Sequence, residues 1–165
     1  MKHLWAPWRV AYVGGPKPLG CVFCEAAAAG DDRAMLIVHR GAHGYLILNR
    51  FPYNSGHVMA VPYRHVARPG QLSAEEHQAL MALVVLALGA LERAMTPEGF
   101  NVGMNLGRAA GAGIDEHLHV HIVPRWVGDT NYMPVLGEVK VLPEHLDQTY
   151  ARLAEALAAG APGRD

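Results

Sequence analysis

Three histidines stand on alternate residues in His117-Leu118-His119-Val120-His121, followed by Ile122 and Val123. In an extended chain the side chains alternate faces, so the imidazoles share one face and Leu118, Val120 and Ile122 the other. The apolar face suits a core, whereas packing makes no demand for three neighbouring imidazoles. Near neutral pH an imidazole can act as nucleophile, acid–base group, hydrogen-bond donor or metal ligand. Just upstream lies Gly107-Arg108-Ala109-Ala110-Gly111-Ala112-Gly113, whose bare main chain could bring N–H groups close to phosphate oxygens. A histidine that attacks phosphorus, with neighbouring imidazoles as proton donors, fits these parts. Two other readings compete with it. One is a half-exposed strand whose polar face merely happens to be histidine. The other is a catalytic metal on the same face, but hydrolytic zinc sites usually recruit acidic ligands and none lies within the motif.

A second chemical cluster is Cys21-Val22-Phe23-Cys24. The spacing is that of a zinc knuckle, yet a closed zinc site takes four ligands and the chain has only these two thiols. Two histidines would have to complete it. Buried reduced thiols are the alternative, and a redox pair is disfavoured because no thioredoxin-like unit follows.

The elements that must position these groups can be read from turn signals and periodicity. Residues 1–20 form an aromatic- and proline-rich arm punctuated by Gly14-Gly15-Pro16 and Pro18, and a short helical patch covers Glu25 to Ala29. Apolar runs of strand length follow at Met35 to Val38, Tyr45 to Leu48 and Val58 to Val61. Ser73 and Glu76 make a capping box that opens a long helix ending before Pro97. Its apolar surface is wider than one stripe, which implies a sandwiched helix or a subunit contact. Strands are expected at Phe100 to Asn105 and His117 to Val123, the latter ending at Pro124, with a closing helix at about Glu144 to Ala158. The expected architecture is a single α+β domain over residues 1–165, with a mostly antiparallel sheet, one long helix and a C-terminal helix and tail at 143–165.

The composition sets limits on partners. Of 165 residues, 51% are hydrophobic and 18% charged, and the formal net charge is −1 with ten histidines counted neutral. That balance argues against a protein that blankets nucleic acid phosphates, but leaves room for a small phosphate-bearing ligand. The apolar stretch Ala79 to Leu91 is too short to span a bilayer, and the opening residues lack a signal-peptide run. A cytoplasmic location is therefore expected, with no membrane partner.

The histidine run with its apolar places filled by Leu118, Val120, Ile122 and Val123 resembles the signature of the histidine-triad superfamily. The likeness extends back to Asn49 and to Ser55-Gly56-His57-Val58-Met59-Ala60-Val61-Pro62, and forward through Pro124-Arg125-Trp126 and Gly128-Asp129-Thr130-Asn131-Tyr132-Met133-Pro134. With Trp5-Ala6-Pro7-Trp8-Arg9 and the two cysteines, it is similar to the bacterial branch near diadenosine tetraphosphate phosphorylases and fragile-histidine-triad-like hydrolases. The resemblance implies a histidine-triad fold and a nucleotidyl intermediate on His119. It gives His121 and His57 the phosphate oxygens and leaving group, and makes His117 an orienting group or metal ligand. Asn105 would hold a phosphate oxygen, Asn49 would meet the ribose, and Gly111 and Gly113 would line the phosphate. It further implies a structural zinc on Cys21, Cys24, His65 and His117, and a homodimer with the long helix and the arm at the contact. One departure is Gly113-Ile114-Asp115-Glu116, where several relatives carry a glutamine or serine. Phosphate contact there would fall to the backbone, and the two acids would have to point away.

The function so implied is cleavage of dinucleoside polyphosphates at the α-phosphate, with transfer of the adenylyl group to phosphate or to water. The same four histidines would also serve a nucleoside phosphoramidate hydrolase. A nucleotide-binding protein without turnover is the reading from a different class, and the intact set of histidines counts against it.

Overall fold

A computed structural model describes residues 20–129 and 144–160. The arm up to residue 19, the motif from Thr130 to Pro134 and the tail beyond 160 lie outside the described residues. The order of elements is α1 (Val22–Ala28), α2 (Asp32–Met35), β1 (Ile37–Arg40), β2 (Gly44–Leu48), β3 (Val58–Pro62), α3 (Ala74–Met95), β4 (Gly99–Gly103), β5 (Val120–Arg125) and α4 (Leu146–Ala159). Five strands form one sheet in the order β1-β2-β3-β5-β4, and every neighbouring pair is antiparallel. The fold is therefore α+β, as the alternation and capping signals indicate.

The long helix forms where its cap predicts. Ser73 accepts the Glu76 N–H, and the Glu76 carboxylate accepts the Ser73 N–H at 2.7 Å, which closes the capping box. The helix ends at Thr96, held in the left-handed region (φ 46) before Pro97. Leu80, Leu83, Val84, Ala87, Ala90 and Leu91 are buried against β2, β3, β5 and α4. At 22 residues the helix is long and apolar enough to cross a membrane by length and composition, so the shorter reading of its apolar run is corrected. In this fold that apolar character covers the sheet, although Met81 (58% exposed) and Val85 (62%) remain on the outer side.

Several boundaries differ from those read in the sequence. Met35 closes α2 rather than opening a strand, because Leu36 turns into the left-handed region (φ 65) before β1 begins. β4 ends at Gly103, so Asn105 lies in the connection beyond it. β5 begins at Val120, and His117, Leu118 and His119 precede it. There the Leu118 N–H bonds to the Val66 carbonyl, past the end of β3, so the chain has left the regular ladder. The strand also runs through Pro124 to Arg125. Proline is tolerated because β3 has already parted from β5 at the Val58–Ile122 pair, leaving no rung there for a missing N–H to break.

Candidate active site

The rings of His117, His119 and His57 are each fixed by a main-chain partner whose hydrogen-bonding role is unambiguous, and that of His121 follows from His57. His119 is buried, and its Nδ1 lies 2.8 Å from the main-chain carbonyl of His117. A carbonyl only accepts, so Nδ1 carries the hydrogen and Nε2 keeps a bare lone pair. His117 places Nε2 2.9 Å from the Pro62 carbonyl, which leaves its Nδ1 bare. The main-chain N–H of Tyr53 donates to His57 Nδ1 at 3.1 Å, with Asn49 Nδ2 at 3.3 Å on the same atom. His57 therefore carries its hydrogen on Nε2 and donates it to His121 Nδ1 at 2.9 Å. The free Nε2 of His121 consequently bears a hydrogen. Of the two bare imidazole nitrogens, His117 Nδ1 faces the cysteines, which leaves His119 Nε2 bare beside the N–H donor of the neighbouring His121 ring.

The rings form a continuous row. Phe23 packs on both His117 and His119 at 5.4 and 4.9 Å between centroids, His119 meets His121 at 4.8 Å, and His121 meets His57 at 5.1 Å. Tyr53 covers His57 at 4.6 Å from the outer side. Burial holds all four imidazoles neutral. It pushes His57 down to about 3, helped by the nearby His121 and His119, and His121 down to about 4, helped by His119. Burial also lowers His119 and His117, against the opposing bonds to the His117 and Pro62 carbonyls.

These shifts have a consequence for stability. Above about pH 6.5 His57 and His121 are neutral whether folded or unfolded, and contribute no pH dependence. Below that the unfolded chain binds protons that the folded chain refuses until pH falls to about 4 and 3. Melting temperature is therefore expected to fall as pH drops from 6.5 towards 4, with a shallower slope in His57→Gln. A slope identical in both proteins would show that His57 is not held neutral.

An open cleft of about 400 Å³ reaches His121, with Tyr53, Asn101, Asn105 and Arg125 among its walls. Asn105 thus stands where a phosphate oxygen beside His121 could meet it. Asn49 is placed differently from a free ribose ligand: its Nδ2 touches His57, and its Oδ1 accepts the Phe51 N–H at 2.9 Å. The glycine-rich segment is a folded turn, with Gly107 (φ 93) and Gly111 (φ 83) in conformations that side chains disfavour. Arg108 donates to Asp115 at 3.1 Å and Glu116 is exposed, so neither acid is lodged among the histidines.

The second cluster assembles from distant parts of the chain. One ligand atom each from Cys21, Cys24, His65 and His117 lies within 4.8 Å of the others. His117 Nδ1 is 3.2 Å from Cys21 Sγ and 3.5 Å from Cys24 Sγ, and His65 Nδ1 is 3.4 Å from Cys24 Sγ. Ligands around one tetrahedral zinc stand roughly 3.3–3.8 Å apart, given bonds of about 2.0–2.3 Å. The bare Nδ1 of His117 is the form a metal needs, and its Nε2–H bond to Pro62 is the usual orienting contact. The donor set fits a metal ion.

The sequence matches the HIT domain family over residues 34–127. The chain belongs to the histidine-triad family. It is an enzyme of a nucleotide-processing group, and relatives named for catalytic activities cover most of its length. It is 40% identical over 163 residues to an AP-4-A phosphorylase of Mycobacterium tuberculosis, covering 93% of this chain and 83% of the relative. It is 30% identical over 135 residues to the adenosine 5'-monophosphoramidase of Schizosaccharomyces pombe, covering 78% and 96%. Among solved structures, a zinc-bound histidine triad family protein from Mycobacterium smegmatis superposes with TM-score 0.69 at 24% identity, covering 86% and 95%. That last likeness concerns the fold.

Sequence reasoning found the four histidines, both cysteines and His65, and the structure brings them into two adjoining clusters that share His117. It missed Phe23, Pro62, Tyr53 and Asn54. Pro62 and Tyr53 act through main-chain atoms, which carry no side-chain signature. Phe23 and Asn54 look in sequence like ordinary core and turn residues.

Proposed function

We propose that the protein cleaves diadenosine tetraphosphate-like dinucleoside polyphosphates at the α-phosphorus through a nucleotidyl-His119 intermediate, and that inorganic phosphate takes up the adenylyl group. The observation that carries this reading is the bare Nε2 of His119, locked by the His117 carbonyl and adjacent to a ring presenting N–H. In the first step the Nε2 lone pair forms a bond to the α-phosphorus as the bond to the bridging oxygen breaks, releasing ATP from the tetraphosphate. His121 Nε2–H meets that oxygen, and Asn105 and the main chain at Gly111 and Gly113 meet the others. In the second step a phosphate oxygen attacks, the P–N bond breaks, ADP leaves and His119 returns neutral. Water in the same place yields AMP. Asn49 is engaged by His57 Nδ1 and the Phe51 N–H, so the ribose contact assigned to it would use the second hydrogen of its Nδ2.

The 40% likeness to the M. tuberculosis phosphorylase over nearly the whole chain supports phosphate as acceptor. A phosphoramidate substrate is the second reading, favoured by the S. pombe relative. A polyphosphate leaves as a stable anion and needs only a hydrogen bond, whereas an amine needs a whole proton, which the neutral His57–His121 pair is poorly set to supply. We assign zinc to Cys21, Cys24, His65 and His117, where it would fix α1 against the histidine segment. A homodimer would cover the exposed Met81 and Val85, and a solution mass of a single chain by light scattering would refute it.

The deciding experiment is turnover of diadenosine tetraphosphate with and without inorganic phosphate, following ATP, ADP and AMP. Phosphate-dependent ADP with ATP is the expected result. AMP with ATP in the absence of phosphate would make the protein a hydrolase. No product under either condition would refute the dinucleotide assignment.

A further inference from the structure

His57 stands one residue beyond the place where β3 and β5 part, and its ring reaches back to His121, which is still paired with Met59. The last paired residues of β3 and β5 are Val58 and Ile122, so no ladder bond ties the main chain of His57 to β5. The carbonyl of Pro124, further along β5, instead receives a hydrogen bond from the side-chain Nδ2 of Asn54 at 3.1 Å. Asn54 is 5% exposed, and the same nitrogen donates to Asp129 Oδ2 at 2.6 Å. Both partners are acceptors, which settles the orientation of the amide. The main-chain carbonyl of Asn54 takes the His57 N–H at 3.1 Å. One buried amide thus replaces the rung that the ladder lacks.

That amide is backed by a rigid partner. Asp129 accepts from Arg125 Nε at 2.6 Å and Nη2 at 2.7 Å, and from the Trp126 N–H at 3.2 Å. Arg125 Nη1 reaches Asn101 on β4 at 2.6 Å. The β2–β3 loop, the end of β5 and β4 are therefore joined along one wall of the cleft. In the same loop Gly56 (φ 78) lets the backbone press on Met95 and Pro124, where an added Cβ would stand 2.6 and 3.0 Å from their side chains. Loop position is thus set from two sides.

We propose that Asn54, held by Asp129, is a positioning residue that sets the tautomers of the active-site histidines. It keeps the loop where the Tyr53 N–H points at His57 Nδ1, so that His57 donates to His121 and His121 presents Nε2–H to the leaving group. The inference rests on the role given to His121 above, although its first readout does not need a substrate.

The test uses the full chain as wild type, Asn54→Asp and Asp129→Asn. Long-range ¹H–¹⁵N correlation spectra of the nucleotide-free proteins report which ring nitrogen carries hydrogen. The wild type should show His57 and His121 with hydrogen on Nε2, and His119 with hydrogen on Nδ1. In Asn54→Asp a carboxylate would face both the Pro124 carbonyl and Asp129, and neither bond could form. Its His57 and His121 signals should become mixtures of tautomers while His119 keeps its own. With diadenosine tetraphosphate, kcat should fall about 10- to 100-fold and KM change less than about threefold. Asp129→Asn keeps the volume and should shift both readouts the same way by a smaller factor. It also carries the test if Asn54→Asp does not fold. Unchanged tautomers in the folded variants, or kcat and KM moving together with unchanged tautomers, would overturn the proposal and leave Asn54 a fold residue. Altered tautomers in a protein whose wild type does not turn over the dinucleotide would count against the substrate alone.

Discussion

His119→Ala is expected to lower turnover by at least about 10⁴-fold while nucleotide affinity changes only a few-fold. The size of the effect follows from the lack of a substitute among the neighbouring rings. His121 has its Nδ1 occupied by His57 and a hydrogen on Nε2, and His57 accepts the Tyr53 N–H on Nδ1. His117 turns its bare nitrogen towards the cysteines. None of the three can offer a lone pair to phosphorus without giving up a bond. Intact-mass measurement under non-acidic conditions, which spare a P–N bond, should show a nucleotidyl adduct on the wild type and none on the variant. Affinity can be followed by calorimetry with a non-cleavable dinucleotide, and a melting curve confirms that the variant is folded. An adduct on the variant, or activity within tenfold of the wild type, would remove His119 from the role of nucleophile.

The double variant Cys21→Ser with Cys24→Ser should lose bound zinc and about 3 kcal/mol of stability, a fall of roughly 6–12 °C in melting temperature for a chain of this size. Burial, with Cys21 beside it, raises the Cys24 thiol above its ordinary range, so a cation is the natural partner for the deprotonated form. The loss should also reach catalysis. His117 gives its ring to the cysteine cluster and its carbonyl to His119, and Phe23, inside the Cys-x-x-Cys turn, packs on the His119 ring. The Phe23 carbonyl is further held by the Tyr45 hydroxyl at 2.7 Å. A fall in kcat without a matching rise in KM is therefore expected, both in the variant and after removal of metal by a chelator. Elemental analysis of protein grown with zinc, set beside melting curves with and without chelator, checks the chain of cause. A wild type that carries no metal, or one whose melting temperature ignores the chelator, would show that the four residues are only packed together.

Much of this was legible in the sequence. The capping box at Ser73 and Glu76 marked the start of α3 because capping is a local exchange of two hydrogen bonds. The alternation around His119 identified a chemical segment because side-chain direction in an extended chain depends only on parity. Its limits were less legible: β5 starts at Val120 because the contact of Leu118 with Val66, 52 positions away, draws the preceding residues out of the ladder. Residue types therefore determined that imidazoles, thiols and a bare glycine-rich loop would be available, and that an α+β fold would carry them. Only the tertiary structure decided which nitrogen each ring presents. That choice belongs to the Pro62 and His117 carbonyls and the Tyr53 N–H, main-chain groups common to nearly every residue and made specific only by where the fold places them.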